Sequence, residues 1–290
     1  MTLQEFYRKY PAETMRLGTG KDFTYRYHKN EKAHATLVLL TGGIGLSDLF
    51  YLHFDRFAAE FSVMTFDYQI QFADNREFAA AVAELLERLG IRAWLVGQSL
   101  GGIVAQIIAK SHPEVVEGLV LSNTCSLAKD MGDEAYDHLM GMIQSEEKSK
   151  RMLKWMPFGL FKRLIKMAVM KKMGPIFTPE EKAQMEGLCD AMMTLLTREY
   201  ELHMADFLID AQNHFGMIPA DFERWAGKVL LILSEDDHTF NQACKDSLIR
   251  IMPEPTVVTN LLGGHLALMV RLEQYVQTVT GFIKATDQTK

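Results

Sequence analysis

Short apolar runs that end at glycine or at polar residues recur along the chain. The first covers residues 35–41, where Leu37, Val38, Leu39 and Leu40 are contiguous and glycines follow. A continuous run of this length is typical of a strand that is buried on both faces, as in a parallel sheet. By the same criterion, strands are predicted at residues 63–66, 93–96, 118–121 and 229–233, with a last short strand at 256–259.

Segments with a helical spacing of apolar residues lie between these predicted strands. In residues 78–89, apolar side chains such as Phe78, Val82 and Leu86 recur every three or four positions, and Gly90 stands where a helix C-terminal glycine is expected. Further helices are predicted at 103–110, 242–251 and 266–283. Alternation of strands with helices predicts an α/β protein with a parallel sheet that helices cover on both faces.

Residues 126–217 interrupt this alternation. The segment has a helical pattern broken at Pro157 and Pro175, and it holds 13 of the chain's 18 methionines. Methionine is flexible and polarizable, so this concentration suits an adaptable apolar surface. A loosely specified helical core explains it equally well, and both interpretations stay open here.

Composition narrows the class of protein. A chain of 290 residues with 48% hydrophobic content is large enough to bury a core, and its net charge of −6 argues against nucleic-acid binding. Three widely spaced cysteines form neither a disulfide framework nor a metal motif, which favours a reducing compartment. Residues 1–16 lack the apolar run of a signal peptide, and no stretch has the length of a membrane span. We therefore expect a cytoplasmic protein.

The pentapeptide Gly97-Gln98-Ser99-Leu100-Gly101 carries the main chemical signal. It follows one predicted strand directly and opens a helix. A sharp strand-to-helix turn strains the serine backbone, and glycines two positions away on either side let neighbouring backbone pass closely. The turn would expose the Ser99 hydroxyl and direct the N-terminus of the helix toward it. Ser99 is the candidate nucleophile, with Gly97 and Gly101 as the elbow glycines; an inert packing turn is the alternative.

Together with the turn Thr41-Gly42-Gly43-Ile44-Gly45 and with Gly264-His265, this pentapeptide resembles the α/β-hydrolase superfamily over nearly the whole chain. The resemblance implies an α/β-hydrolase fold: a mostly parallel eight-stranded sheet flanked by helices, with a helical cap inserted after the sixth strand. Residues 126–217 match that cap by position, which leaves 1–125 and 218–290 as the hydrolase core.

A narrower resemblance is to the maspardin-like subgroup. It depends on Phe66-Asp67-Tyr68, where an arginine-glycine loop common elsewhere is lacking, and on Trp155-Met156-Pro157-Phe158 in the cap.

The superfamily resemblance implies the partners of Ser99. His265 stands after the last strand, where the superfamily places the base that removes the serine proton; His238 is a weaker rival. A buried carboxylate must orient the imidazole. In Ser234-Glu235-Asp236-Asp237 the fourth residue matches the family's usual acid, so Asp237 is favoured, while Glu235 and Asp236 stay open. Asn123 occupies another location of the acid and cannot carry the charge.

An oxyanion hole requires donors that point at the developing negative charge. The backbone N–H groups of Leu100 and Gly43 are the candidates. Thr41 departs from the commonest family pattern, which has histidine there, but the donor is backbone and the substitution does not remove it.

Residues 148–173 contain nine Lys and Arg residues and no acidic residue, interleaved with aromatic and aliphatic ones. This pattern indicates either a solvated cap face or a basic amphipathic surface that contacts anionic lipid or an acidic substrate.

The predicted function is a carboxylic-ester hydrolase that acts by acyl transfer to water on a small molecule with an apolar acyl or alcohol group. One alternative is an aminopeptidase or amidase of the same fold, whose acidic cap group would be Glu186, Asp190 or Glu199. The other is a non-catalytic binding protein on a hydrolase scaffold. No metal-ligand cluster or nucleotide loop is evident, so no cofactor and no metal is expected. The pattern does not specify an oligomeric state.

Overall fold

A single eight-stranded sheet organises the chain. The computed structural model describes residues 1–173 and 178–287. The strands lie in the order β1-β2-β4-β3-β5-β6-β7-β8; β2 pairs antiparallel with β1 and with β4, and the other pairs are parallel. This confirms the predicted mostly parallel sheet. The strands are β1 Ala12–Arg16, β2 Asp22–His28, β3 Thr36–Leu40, β4 Ser62–Thr65, β5 Ala93–Gln98, β6 Val116–Ser122, β7 Val229–Ile232 and β8 Thr256–Val258.

Helices cover both faces of the sheet. Alternate residues of β3 point into different cores: Leu37 and Leu39 pack on one side, Val38 and Leu40 on the other, and all four are buried. This is why the run is apolar without alternation. The helices are α1 Leu3–Lys9, α2 Tyr51–Ala58, α3 Asn75–Arg88, α4 Leu100–Ser111, α5 Asp133–Trp155, α6 Phe158–Met173, α7 Pro179–Leu195, α8 Arg198–Asp210, α9 Gln242–Ile251, α10 Ala267–Val270 and α11 Leu272–Asp287.

All six strands predicted from the apolar runs are present, each within two residues of its predicted limits. The N-terminal elements β1, β2, α1 and α2 were not predicted. Strand β1 is an exposed edge strand without an apolar run, and its place in the sheet comes from pairing with β2. In β2 Phe23 and Tyr25 are buried in the core and Tyr27 is only partly buried against it, so the apolar signal of this strand is short.

The closing helix differs from the prediction of one helix over residues 266–283. It is broken at Arg271, which separates α10 from α11. The Arg271 side chain donates a hydrogen bond from Nε to the carbonyl oxygen of Leu262 (3.2 Å). The break is therefore tied to the loop that precedes His265, a contact that helical periodicity does not reveal.

Between β6 and β7 the described part of the chain forms helices α5 to α8. The segment leaves and rejoins the rest of the protein at one place, where Ala128 bridges to Met217 and Lys129 N–H donates to the Met217 carbonyl (2.7 Å). Pro157 separates α5 from α6, as predicted, whereas Pro175 lies outside the described residues. Nowhere in residues 1–173 and 178–287 is a helix both long and apolar enough to cross a bilayer.

His53 on α2 is a fully buried titratable group between the helices of one face. Its Nε2–H donates to the Leu268 carbonyl (3.1 Å), while Nδ1 has no partner among the described residues. Burial lowers the pKa of His53 to about 4, against an ordinary value of 6.5. The folded protein therefore holds this imidazole neutral in a range where the unfolded chain binds a proton.

Because the pKa of His53 is lower in the folded state, acid destabilises the protein. We expect the free energy of unfolding to fall by about 3 kcal/mol from this group as the pH drops from 7 to 4. His53→Gln keeps an amide donor for the Leu268 carbonyl and removes the titration, so its pH dependence should be weaker by that amount. Urea unfolding of both proteins at several pH values measures the difference; equal pH dependence would contradict the assignment.

Candidate active site

The carboxyl ends of four parallel strands bring the candidate residues to one edge of the sheet. Ser99 follows β5, Asp237 lies in the loop after β7, His265 lies in the loop after β8, and the glycine turn follows β3. In open α/β sheets, the crevice outside these carboxyl ends is where ligands bind. Residues far apart in the chain thus meet because their strands are parallel neighbours.

Ser99 has a strained backbone at the turn between β5 and α4, with φ 53° and ψ −118°. Close backbone packing around the turn restricts its conformation. A Cβ atom at Gly97 would overlap the Gly101 carbonyl, and one at Gly101 would overlap the Leu40 carbonyl of β3. The backbone strain at Ser99 is maintained by these close contacts, and strain of this kind is concentrated at functional sites.

The structure brings Ser99, His265 and Asp237 into one hydrogen-bonded line. Ser99 Oγ lies 3.0 Å from His265 Nε2, and His265 Nδ1 lies 3.1 Å from Asp237 Oδ2. Because a carboxylate accepts, Nδ1 carries the proton and Nε2 is left as the acceptor for the serine hydroxyl. The Gln98 amide is consistent with this tautomer, since its Nε2 donates to the His265 carbonyl (3.1 Å) and lies 3.4 Å from His265 Nε2.

Asp237 is buried, with its side chain inaccessible to solvent. Burial acts to raise its pKa, but the hydrogen bond and charge of His265, the Thr239 N–H (2.7 Å) and the charge of Lys245 outweigh burial, so the pKa lies below its ordinary value. The Asp237 side chain is therefore a carboxylate at neutral pH. Lys245 on α9 is itself buried and donates to the carbonyl oxygens of Ser234 (2.7 Å) and Asp237 (3.1 Å), which fixes the acid loop.

The neighbours of Asp237 have other contacts. Glu235 is exposed and accepts from the Thr259 hydroxyl (2.8 Å). Asp236 accepts from the Gly263 N–H (2.9 Å) and so shapes the histidine loop. His238 is exposed. Of the three acidic side chains in the loop, Asp237 is the one that contacts His265.

Asn123, after β6, connects the acid loop to the histidine loop. Its amide donates to Ser234 Oγ (3.0 Å) and to the Gly264 carbonyl (2.9 Å), and its Oδ1 accepts from the Ser234 N–H (2.9 Å). The residue has a positive φ of 41°. The family resemblance allows an acid at this position. Here the position carries the neutral amide of Asn123, which connects the two loops.

The glycine turn after β3 is held by the tripeptide that follows β4. Tyr68 OH donates to the Thr41 carbonyl (2.8 Å), and Tyr68 N–H donates to the Gly45 carbonyl (3.0 Å). Gly43 borders a cavity that also contains Ser99, while Leu100 is the first residue of α4. Within the described residues, neither the Gly43 nor the Leu100 N–H donates to another protein group.

Two cavities meet at Ser99. One, of about 140 Å³, is lined by apolar residues from α5 and neighbouring elements, including Leu139 and Ile143, and by Glu146. The other, of about 190 Å³, is lined by Gly43, His265 and apolar side chains of α6 and α7, such as Ile165 and Met192. Each cavity can hold one half of a substrate whose reactive centre lies at Ser99.

The acidic side chains proposed for amine binding lie elsewhere. Asp190 pairs with Lys166, Glu199 is exposed, and neither they nor Glu186 border the described walls of the two cavities. The acidic residue that does border one of these cavities is Glu146. The sequence did not reveal it, because the spacing of Ile143 and Glu146 places them on one face of a helix but does not show that this face lines a cavity. Over residues 1–173 and 178–287, no group of three or more His, Cys, Asp or Glu side chains is arranged to hold a metal ion.

Comparisons with known proteins agree on the fold. Residues 35–148 match the family model described as alpha/beta hydrolase fold. No match was found among curated protein sequences. The structure is similar to a hydrolase from Pseudomonas aeruginosa (TM-score 0.70, 18% identity, 94% of this chain and 98% of that chain). It is also similar to a thermophilic esterase from Thermogutta terrifontis (0.65, 16%, 94% and 98%) and to an enol-lactonase from Burkholderia xenovorans (0.64, 16%, 94% and 100%).

At these identities the neighbours share the fold and do not specify the reaction. The match over residues 35–148 and the eight-stranded topology together show that the chain has the α/β-hydrolase fold.

Proposed function

We propose that the protein is a serine hydrolase that cleaves carboxylic esters, with Ser99 as nucleophile, His265 as general base and Asp237 as the group that orients it. The observation that carries this proposal is the hydrogen-bonded line from Ser99 Oγ through His265 to the buried Asp237. A serine hydroxyl is a weak nucleophile until a base takes its proton, and an imidazole suits that task near neutral pH.

In the acylation step, Ser99 Oγ attacks the ester carbonyl carbon while its proton moves to His265 Nε2. The imidazolium that forms is stabilised by the Asp237 carboxylate through Nδ1–H. The carbonyl oxygen becomes an oxyanion, and the N–H groups of Leu100 and Gly43 are its proposed donors. His265 then returns the proton to the leaving alkoxide, which departs as an alcohol.

In the second step, water hydrolyses the acyl-enzyme. His265 removes a proton from the water as the water oxygen attacks the acyl carbon. The bond from the acyl carbon to Ser99 Oγ then breaks, His265 returns the proton to that oxygen, and the carboxylic acid is released. The same donors serve both intermediates because the oxyanion forms on the same atom.

The shape of the site supports an ester with two apolar halves. Both cavities at Ser99 have mainly apolar walls, and pockets of this kind select substrates by burial of apolar surface. Helices α5, α6 and α7 supply much of these walls, so we propose that residues 126–217 form a cap over Ser99. The methionines at the walls, Met142, Met192 and Met193, suit adaptable contacts.

An amidase or aminopeptidase is the second candidate, and Glu146 is the observation that favours it. A carboxylate in the wall of a cavity that Ser99 also lines could bind a substrate amine. However, burial raises the pKa of Glu146. The pKa of Glu201 is raised to about 7, first by burial and then by the charge of Glu146. This environment disfavours charge on the wall, so a neutral substrate is preferred and the ester remains the leading proposal.

Two measurements separate these functions from a non-catalytic role. A fluorophosphonate probe should label Ser99 in the folded protein, and absence of an adduct would favour a binding protein. Amino-acid amides tested beside aryl esters distinguish the two hydrolase candidates, and cleavage of amides alone would overturn the ester proposal.

All three cysteines are free and buried, which supports the proposal that the protein is located in the reducing cytoplasm.

Replacing Ser99 should separate activity from stability. Both Ser99→Ala and Ser99→Gly remove the nucleophile, and we expect esterase activity to fall by about 10³-fold or more. Glycine tolerates φ 53° whereas alanine does not, so Ser99→Gly should raise the free energy of unfolding by about 1 kcal/mol and Ser99→Ala should not. Chemical denaturation of the three proteins provides the comparison; equal stabilities would contradict the strain at Ser99.

Asp237→Asn should keep the fold and lose most of the activity. The amide can donate to Nδ1 and so favours the tautomer in which Nε2 is protonated and unable to accept from Ser99; we expect kcat to fall by about 10⁴-fold. The matched variant Asp236→Asn changes a carboxyl group that contacts Gly263 and not His265, and it should retain most activity. Steady-state assays with a soluble aryl ester measure kcat of both variants. Similar losses of kcat in the two variants would exclude a specific role for Asp237.

The two cavities predict a limit on chain length. A dry cavity of about 150 Å³ holds one benzene molecule, so each half of the substrate should be favoured up to about that size. We expect kcat/KM to rise from acetyl to about hexanoyl esters and then fall. Ile143→Trp narrows one cavity and Met192→Trp the other, so one variant should restrict the acyl series and the other the alcohol series. Unchanged preference in both variants would refute the two-cavity assignment.

A further inference from the structure

Helix α6 has apolar residues on two faces, which an ordinary surface helix does not. Ile165 on the inner face borders the cavity at Ser99. On the outer face Leu160, Leu164 and Met167 follow i, i+4, i+7 spacing and are 47%, 43% and 58% exposed. The cavity accounts for the apolar residues of the inner face. The apolar residues of the outer face have no packing partner in the described structure.

The end of α5 continues this exposed apolar strip along the chain. Trp155 is 90% exposed and Met152 is 49% exposed. Trp155 does not owe its exposure to a loose helix end, because the Arg198 guanidinium donates to the carbonyl oxygens of Leu153 and Met156 and so fixes the last turn. A large aromatic side chain is thus held in solvent by an ordered element.

Cations accompany these apolar side chains. Nine of the chain's 31 Lys and Arg residues lie in residues 148–173, which contain none of its 37 acidic residues. Some pair with acids outside the segment, as Lys150 does with Asp206. Five are exposed and, in the part of the chain that the structure describes, make no ion pair: Lys148, Arg151, Lys154, Arg163 and Lys171. We call these five and the five exposed apolar residues the basic-apolar surface.

We propose that the basic-apolar surface binds the surface of an anionic lipid bilayer. An amphipathic helix with basic residues beside Trp and Leu suits the boundary between headgroups and acyl chains, because the cations meet lipid phosphates while the apolar side chains enter below them. Tryptophan is favoured at this depth, where its ring is buried and its N–H stays hydrated. The net charge of the whole chain is −6, so attraction to anionic lipid is a local property of this surface.

The charge pattern disfavours a second copy of the chain as the occupant. In a two-fold interface the same patch meets itself, so the five unpaired cations would face one another without an acidic partner. An anionic bilayer supplies the complementary charge and an apolar phase together.

The protein carries its own probe for this binding. Of its three tryptophans, Trp94 and Trp225 are buried and Trp155 is exposed. Insertion of Trp155 into a bilayer should shift the fluorescence emission to shorter wavelength and make it sensitive to brominated lipid. Vesicles of phosphatidylcholine with phosphatidylglycerol should produce this change, and vesicles of phosphatidylcholine alone should produce much less.

Vesicle co-sedimentation of the full-length protein tests the charges. Arg151→Glu/Arg163→Glu should weaken binding to anionic vesicles by about 30-fold or more. The control Lys32→Glu/Arg76→Glu changes the net charge equally at exposed residues outside α5 and α6, and it should bind as the parent protein does. Trp155→Ala should weaken binding by about tenfold and abolish the fluorescence change. Raising the salt concentration should weaken binding of the parent.

Docking requires no catalysis, so Ser99→Ala should bind vesicles normally, and the surface variants should cleave a soluble ester at the parent rate. Failure of the esterase proposal would thus leave this one standing, and the reverse also holds. No binding to anionic vesicles at low salt, or equal loss in the Lys32→Glu/Arg76→Glu control, would overturn the proposal. Concentration-dependent dimerisation that Trp155→Ala abolishes, without vesicle binding, would assign the surface to a second copy instead.

Discussion

The close approach of helix α4 to strands β3 and β5 is the constraint on which the arrangement around Ser99 depends. Space for any Cβ atom is missing at Gly97 and Gly101, because the Leu40 and Gly101 carbonyl groups occupy it. The turn between strand and helix is therefore compressed, and Ser99 adopts a positive φ that only surrounding structure can impose. The same compression aligns the N-terminus of α4 with the serine, so one packing contact both exposes the hydroxyl and orients backbone donors beside it.

The remaining geometry comes from polar cross-links between loops. Asn123 joins the acid loop to the histidine loop, Lys245 holds the acid loop to α9, and Gln98 holds the histidine carbonyl. Buried polar groups of this kind are costly unless paired, and here each is paired with backbone or side-chain atoms of the loops that it positions. Side chains with no proposed chemical role thus determine where the proposed triad residues lie.

The helices between β6 and β7 have two different apolar environments. Inward, their side chains form the walls of the cavities at Ser99; outward, α5 and α6 expose apolar and basic residues together. The same segment is rich in methionine. Its methionines lie in both environments, since Met192 is buried at a cavity wall and Met167 is exposed.

The sequence by itself determined the α/β class, the six strands with apolar runs and the elbow at Ser99, because these depend on short-range rules of periodicity and turn geometry. It also indicated His265 and Asp237 through a family resemblance. The resemblance favoured Asp237 but left Asp236 open, and the tertiary structure distinguished the two. Tertiary structure alone decided that Glu146 borders the cavity and that Trp155 stays in solvent. Each of these depends on which distant element packs against a side chain, and neither spacing nor composition encodes that contact.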